Sequence, residues 1–295
     1  MTEKTCHLEP AGLARSALHE IVSILEHERI ALDSWRIRLA CPEIARRSQP
    51  GQFFMVRGPG LSDPLLGRPF ALYDTVEDAA GDPIGIDIVY LVVGKMTHLM
   101  REWQPGERVE LWGPLGNGFP APKTERLIFV AGGIGQTPFL AAGREALGKR
   151  SYGGSNRRNI PAVSDLTMCY GARSAEYLAG LDDFTAAGIN VRIATDDGSA
   201  GTKGFVTSLL EEELQKGGPT PWVFCCGPEP MLIAVQKLIG KYGVPGWLSL
   251  ETPMACGFGV CFSCVTKVRD GESDWDYKRV CVEGPIFPAA DLILH

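Results

Sequence analysis

The chain has 295 residues, 45% of them hydrophobic, which is enough to bury about two domain cores. A net charge of −6 leaves no basic surplus for nucleic acid or an anionic membrane surface. The first residues, MTEKTCHLEPAGLARSALHE, have no apolar core of a signal peptide, and no apolar run reaches the ~18 residues of a membrane span. Of nine cysteines, Cys6, Cys41, Cys169, Cys225 and Cys226 show no framework spacing, so a reducing, cytoplasmic setting is expected.

Residues 1–16 read as a polar extension. Two alternating runs, His19–Ile30 and Ser34–Ala40, read as a hairpin around Asp33 and Ser34. Further strands are expected at Phe53–Val56, Pro69–Tyr73, Ile86–Val93 and Arg108–Trp112, with a short helix over Thr97–Trp103 capped by Thr97. Glycine and proline separate them, so residues 17–120 read as a small antiparallel β barrel.

The period changes at Arg126. Strands at Leu127–Ala131, Leu166–Tyr170, Val191–Ala194 and Trp222–Cys226 alternate with helices at Thr137–Lys149, Ala175–Phe184, Phe205–Gln215 and Glu229–Tyr242. Such alternation predicts an α/β unit with a parallel sheet over 125–243. Arg150–Ser164 reads as an exposed insertion, with Arg157 and Arg158 as a solvated or partner-binding pair. Residues 247–295 form a third unit: a lead-in at Trp247–Glu251, a strand at Val265–Val268, a charged turn at Arg269–Lys278 and a return at Arg279–Val282.

That third unit carries the most specific pattern. Cys256, Cys261 and Cys264 stand in C-x4-C-x2-C spacing, and Cys281 follows after sixteen intervening residues. This is the plant-type spacing of a [2Fe–2S] cluster. Sulfurs must converge on one point, and Gly257 and Gly259 permit the tight wrap this needs. Zinc sites use paired C-x2-C knuckles, and only one such pair exists here.

In the α/β unit, Gly132, Gly133, Gly135, Gln136, Thr137 and Pro138 lie where the first strand runs into a helix. A nucleotide pyrophosphate fits there by position, although G-x-G-x-x-G is absent and a plain tight turn has the same look. Cys226, Gly227 and Pro228 make a second turn at a strand's carboxyl end. Arg68 before a barrel strand suits a phosphate anchor or an ordinary surface position. A nicotinamide exchanges two electrons as hydride and a [2Fe–2S] cluster one, so a chain with both sites needs a flavin between them. The barrel is the available place.

In this order the parts resemble the ferredoxin-NADP reductase superfamily and, within it, the electron-transfer subunits of NAD-linked, class 1B dihydroorotate dehydrogenases. The stretches that carry the resemblance are Ser249-Leu250-Glu251, Met254-Ala255-Cys256-Gly257, Cys281 to Phe287, Ala194 to Gly198 and Gly204 to Thr207. It implies FAD contacts at Arg68, Pro69, Phe70, Ala71, Val89, Tyr90, Leu91, Met96 and Thr97. It implies NAD at the Gly132–Pro138 and Cys226–Pro228 turns, and cluster ligation by Cys256, Cys261, Cys264 and Cys281. The family usually has Ser or Thr at Ala71, often Gly at Met96 and a basic residue at Leu91. The implied role is electron transfer from dihydroorotate, oxidised at FMN on a partner catalytic subunit, through [2Fe–2S] and FAD to NAD+, in de novo pyrimidine synthesis. The implied assembly is a heterotetramer of two of each subunit, with no catalytic base in this chain. Flavin subunits of NADH-dependent ferredoxin:NADP oxidoreductase and of sulfide dehydrogenase are the competing relatives; they often carry Asp at the first cluster position, where this chain has Cys256. A non-catalytic iron–sulfur redox sensor is the competitor of another class. Arg173, at the end of the second α/β strand, suits a 2′-phosphate and keeps NADP open.

Overall fold

The computed structural model describes residues 14, 17–271 and 274–294. Apart from Ala14, the expected extension 1–16 lies outside them. β1 (Leu18–Ala31) and β2 (Ser34–Ala40) form the expected hairpin, turning at Asp33 with a left-handed φ of 51°. Then come α1 (Pro42–Arg47), β3 (Phe53–Arg57), β4 (Arg68–Ala71), β5 (Asp74–Glu77), β6 (Pro83–Leu91), α2 (Lys95–Arg101) and β7 (Arg108–Leu115). The seven strands form one antiparallel sheet in the order β4-β3-β7-β1-β2-β6-β5.

Two features curl this sheet into a barrel. β1 pairs with β7 through Leu18–Ser23 and with β2 through Ile24–Ala31, with register shifts on the β2 side. The two edge strands are consecutive in the chain. The single strand expected at Pro69–Tyr73 is therefore corrected: β4 ends at Ala71, and the chain crosses the barrel mouth. Leu72 N–H bonds the Gln52 carbonyl beside β3 (2.9 Å), and Tyr73 N–H bonds the Asp87 carbonyl of β6 (3.0 Å). Inward residues such as Val22, Ile37, Leu39, Phe54, Val56, Ile88 and Leu111 fill the interior, and α1 closes one end with Ile44 and Ala45.

The second half comprises β8 (Arg126–Gly132), α3 (Phe139–Ala146), β9 (Asp165–Ala172), α4 (Leu181–Ala186), β10 (Asn190–Thr195), β11 (Thr202–Lys203), α5 (Val206–Gln215), β12 (Trp222–Cys226) and α6 (Glu229–Tyr242). β13 (Gly246–Ser249), β14 (Val265–Asp270), β15 (Asp274–Arg279) and β16 (Ile286–Pro288) complete the chain. The α/β sheet runs β11-β10-β9-β8-β12-β13-β16, parallel throughout except for antiparallel β16. Two strands from the expected third unit thus complete the nucleotide sheet. The helix expected over Ala175–Phe184 is interrupted, because Gly180 adopts φ 73° and α4 starts after it. The turn expected over Arg269–Lys278 includes β15, which pairs with β14. Its Asp-Trp-Asp-Tyr alternation places Trp275 and Tyr277 on one face, with Lys267 over the Trp275 ring.

The barrel and the α/β unit share a core. Phe119 from the barrel exit stacks on Phe224 (4.7 Å) in a cluster that also holds Tyr73, Val89, Phe129 and Phe139. Asp74, on the barrel's β5 and buried, receives Arg144 of α3 and the Tyr152 hydroxyl (2.7 Å). The 150–164 segment is therefore only partly the solvated insertion expected. Tyr152 and Val163 are buried and Arg158 bonds the Phe119 carbonyl, while Arg157 is exposed.

Glu213 ties the α/β elements together. Its carboxylate meets Arg126 of β8 (3.0 Å), Arg192 of β10 (2.7 Å) and Lys216 (2.6 Å). Burial works against its charge, yet Lys216 and Arg192 hold it below the usual glutamate range. Glu213→Gln is expected to cost about 3 kcal/mol at pH 7, because the buried Arg126 loses a buried anionic partner. The unfolded chain takes up this proton first as pH falls, so the wild type loses the contribution in acid. The gap between wild type and variant should therefore narrow below about pH 4.3, read by urea unfolding at several pH values. A gap independent of pH would assign the loss to packing instead.

Candidate functional site: cluster loop, flavin seam and nucleotide turn

The cluster loop leaves β13 and returns to β16. Leu250 N–H bonds the Pro285 carbonyl (2.8 Å), so the loop's two ends are tied. Gly257 (φ 78°) and Gly259 (φ 95°) make the wrap expected of them, and Phe262 joins them at φ 55°. A Cβ on Gly257 would sit 2.5 Å from Met55 Cγ and 3.1 Å from Leu115 Cδ1, so the loop is pressed against barrel strands β3 and β7. Trp112 of β7 donates its indole N–H to the Cys256 carbonyl (2.9 Å), and Arg279 donates to the Gly259 carbonyl (3.0 Å). Neither Trp112 nor Arg279 belongs to a motif, and the sequence reading missed both.

Cys264 and Cys281 are buried, Cys256 is partly exposed and Cys261 is exposed. Ser263 bonds the Cys261 sulfur (3.1 Å); with Cys256, it lowers that thiol to about 6. Burial and the neighbouring Cys264 push Cys281 up. The thiols stand as pairs, Cys256 with Cys261 and Cys264 with Cys281, and Cys256 also acts on Cys281. Among the described residues no three His, Cys, Asp or Glu side chains gather around one point as ligands of a single ion do. Two thiol pairs fit a two-iron cluster.

The flavin candidates line a seam. β4 pairs only with β3, and β5 covers β6 only from Pro83 to Asp87, so Val89–Leu91 pairs on one side with β2 alone. β4 faces β6 across this gap without joining it in the sheet. Unpaired main-chain groups on both margins suit a planar, hydrogen-bonding ring such as isoalloxazine. Arg68 donates only to the Leu66 (3.0 Å) and Gly67 (3.1 Å) carbonyls and meets no acid among the described residues, which suits a diphosphate. Pro69, Phe70 and Ala71 are half-buried along the seam.

Other flavin candidates offer main chain more than side chain. Val89 is in the shared core, and the Tyr90 hydroxyl is committed to His27 Nε2 (2.9 Å), whose Nδ1 bonds the Trp103 carbonyl (2.9 Å). Leu91 ends β6 half-buried, and Met96 is buried in the barrel core. Thr97 is not the helix cap. Gly94 caps α2, and Thr97 Oγ1 three residues on accepts from the N–H groups of Val93 (2.9 Å) and Gly94 (3.0 Å). The physical reason is a capping box with a glycine cap, in which the later residue reaches back.

The nucleotide candidates come together as expected. After β8, Gly133–Gln136 form a 3-10 turn with Gly133 at φ 54°, and Thr137 N–H bonds the Ile134 carbonyl (3.1 Å). Pro138 has no N–H to continue this, so α3 starts at Phe139 rather than at Thr137. A Cβ on Gly135 would overlap the Cys226 carbonyl and stand 2.7 Å from Gly227 Cα. A Cβ on Gly132 would stand 2.9 Å from Pro228. The two turns therefore interlock at the carboxyl ends of neighbouring β8 and β12. Strand order reverses at this point, with β9 to one side and β12 to the other, which is where open α/β sheets hold ligands. Arg173 is exposed at the end of β9, beside Asp196 and Asp197 at the end of β10.

Comparison with known proteins follows this geometry. The model of the iron–sulfur cluster binding domain of dihydroorotate dehydrogenase B matches residues 251–293, the cluster loop and its hairpin. The electron transfer subunit of dihydroorotate dehydrogenase B (NAD(+)) from Geobacillus thermodenitrificans is 36% identical over 93% of this chain and 98% of its own length. The chain belongs to the family of dihydroorotate dehydrogenase B electron transfer subunits. The Aquifex aeolicus homolog of this subunit is 34% identical over 92% of the chain and 97% of its own length. Among solved structures, the NADH-dependent reduced ferredoxin-NADP oxidoreductase superposes with a TM-score of 0.75 at 26% identity, covering 93% of this chain and 90% of that one. Phthalate dioxygenase reductase shares the fold, with a TM-score of 0.57 at 22% identity over 86% and 88% of the two chains. The first of these superpositions covers both the antiparallel barrel and the nucleotide-type sheet of this dihydroorotate dehydrogenase B family member. Among its described residues no helix is long and apolar enough to cross a membrane.

Proposed function

We propose that this chain is the electron-transfer half of an NAD-linked dihydroorotate dehydrogenase, acting with an FMN-containing catalytic subunit in a heterotetramer of two of each. The observation that carries the reading is the packing of the four-thiol loop directly on β3 and β7, of which β3 pairs with the seam strand β4. Cys256, Cys261, Cys264 and Cys281 hold the [2Fe–2S] cluster. Arg68 holds the FAD diphosphate while Pro69–Ala71 and Val89–Leu91 frame its ring, and the Gly132–Pro138 and Cys226–Pro228 turns receive NAD. Bound together, these groups would join one-electron exchange at the cluster to two-electron hydride exchange at the nicotinamide through the flavin.

The protein's own contribution is placement and exclusion of water. Trp112 and Arg279 hold the loop's carbonyls, the buried Cys264 and Cys281 seal one side, and Phe258, Val260 and Phe262 stand exposed on the other. That apolar rim suits the partner subunit. A Val260→Asp variant is expected to weaken assembly at least tenfold, measured by titrating the catalytic subunit, while its own visible spectrum is unchanged. Unaltered assembly would move the interface elsewhere.

The deciding experiment is co-expression with the class 1B catalytic subunit of the same source and an anaerobic assay of dihydroorotate-dependent NADH formation. Activity only with both chains supports the reading, and replacing NAD+ by NADP+ tests the role of Arg173. An intact complex that forms no NADH from dihydroorotate overturns it. Ferredoxin would then be the acceptor to try, given the likeness to the NADH-dependent reduced ferredoxin-NADP oxidoreductase.

A further inference from the structure

Asp74 is 4% exposed on β5, three residues beyond the seam residue Ala71. Its Oδ1 accepts the Tyr152 hydroxyl (2.7 Å) and the Thr75 N–H (2.8 Å). Its Oδ2 receives Arg144 of α3, with Arg150 at 3.6 Å. Arg150 also pairs with Glu77 at the end of β5 (2.8 Å). The carboxylates thus come from the barrel and the cations from the α/β half. Tyr73, one residue earlier, adds two more ties. Its carbonyl accepts the Ala141 N–H of α3 (3.2 Å), and its hydroxyl donates to Asp183 of α4 (2.7 Å). Ala141 lies in the first turn of α3, where helix N–H groups have no partner within the helix.

Apolar contact already joins the two halves, because Phe119, Phe129, Phe139, Phe224 and Val89 share one core. A buried ion cluster adds little stability over apolar side chains of the same volume. What it adds is direction, since a guanidinium meets a carboxylate in a preferred planar geometry. The direction fixed here is that of α3. The Gly132–Pro138 turn runs straight into this helix, and Arg144 stands six residues beyond Pro138. The chain that leaves the flavin seam is therefore fastened, within a few residues, to the helix that leaves the nucleotide turn.

We propose that Asp74 is a positioning residue for hydride exchange, holding α3 so that a nicotinamide at the glycine turn meets a flavin in the seam at reacting distance. The inference rests on the flavin and NAD assignments above. Asp74 takes no part in the transfer itself, in which NADH gives up a hydride to become NAD+ and the oxidised flavin takes that hydride. Its effect is geometric. Reacting atoms must stand about 3–3.5 Å apart, and a misplacement of about 1 Å costs on the order of a hundredfold in rate.

Asp74→Asn, in the full chain purified with FAD, keeps the side-chain volume and removes the charge. Rapid mixing with NADH reads the bleaching of the flavin. The limiting rate at saturating NADH is expected to fall about tenfold, as a shift of about half an ångström would cause. FAD content, the flavin spectrum and the NADH dissociation constant are expected to stay those of the wild type. A wild-type limiting rate overturns the proposal. So does a fall matched by loss of FAD or by weakened NADH binding, which makes Asp74 a residue of stability alone. Should Asp74→Asn fail to fold, Tyr152→Phe carries the test, because it deletes only the hydroxyl that orients Oδ1. Its limiting rate is expected to fall about threefold, as a shift of about a quarter of an ångström would cause, and a wild-type rate overturns the proposal. A wild-type chain whose FAD is not bleached by NADH would instead sink the parent assignments, so the two failures are distinguishable.

Discussion

Cys264→Ser is expected to abolish dihydroorotate-dependent NADH formation in the reconstituted complex while leaving NADH oxidation by an artificial dye near the wild-type rate. Cys264 is buried beside Cys281 in a core that includes Met254, Leu250 and Val280. Serine replaces sulfur with a slightly smaller oxygen, so packing survives, but a hydroxyl is a poor substitute for a thiolate that iron prefers. The cluster's visible absorption and paramagnetic signal should disappear with the coupled activity. Under the proposed assignment, dye reduction needs only the seam and the nucleotide turn, neither of which contains Cys264. If both activities fall together, the cluster is holding the fold and the separation of roles is wrong. Circular dichroism of the variant at the assay temperature decides that point, since an unfolded chain explains both losses and a folded one does not.

Gly135→Val is expected to remove pyridine-nucleotide binding, by a hundredfold or more in affinity, while the flavin and cluster spectra persist. Any Cβ at this position overlaps the Cys226 carbonyl, and the next atoms are also backbone, Cys226 C at 2.6 Å and Gly227 Cα at 2.7 Å. No flexible side chain can move aside, so the two turns must separate and the crevice between β8 and β12 loses its shape. NAD+ titration of the flavin-loaded variant measures this. Retained affinity would place the nucleotide away from the switch point.

Local chemistry was legible in the sequence where it depends on neighbours in the chain. The spacing of three thiols within nine residues is written in the chain itself, and the glycines between them adopt the positive φ that a tight wrap requires. Leu127–Ala131 and Trp222–Cys226 are continuous apolar runs, and both are buried central strands. What depends on distant partners was hidden. Trp247–Glu251 looks like a lead-in because parallel pairing with β12 leaves no local trace. Arg269–Lys278 looks like a turn because exposed strands carry charge, although the period of two in β15 was present. Thr97 has the chemistry of a cap but the position three residues later, a difference set by where α2 starts. The seam between β4 and β6 follows from where β5 stops covering β6, which no motif records.

The bracketing of the cluster loop by β13 and β16 has a kinetic consequence. Those strands are hydrogen-bonded neighbours, so both stems of the loop leave the sheet about 5 Å apart. The loop is also held by Trp112 and pressed on Met55. A module on a single flexible tether can swing between donor and acceptor, and its turnover then follows solvent viscosity. A doubly stitched loop has no such arc. The spacing between the thiols and the barrel is set once, when the sheet closes, and turnover within this chain should not change when glycerol or sucrose thickens the medium.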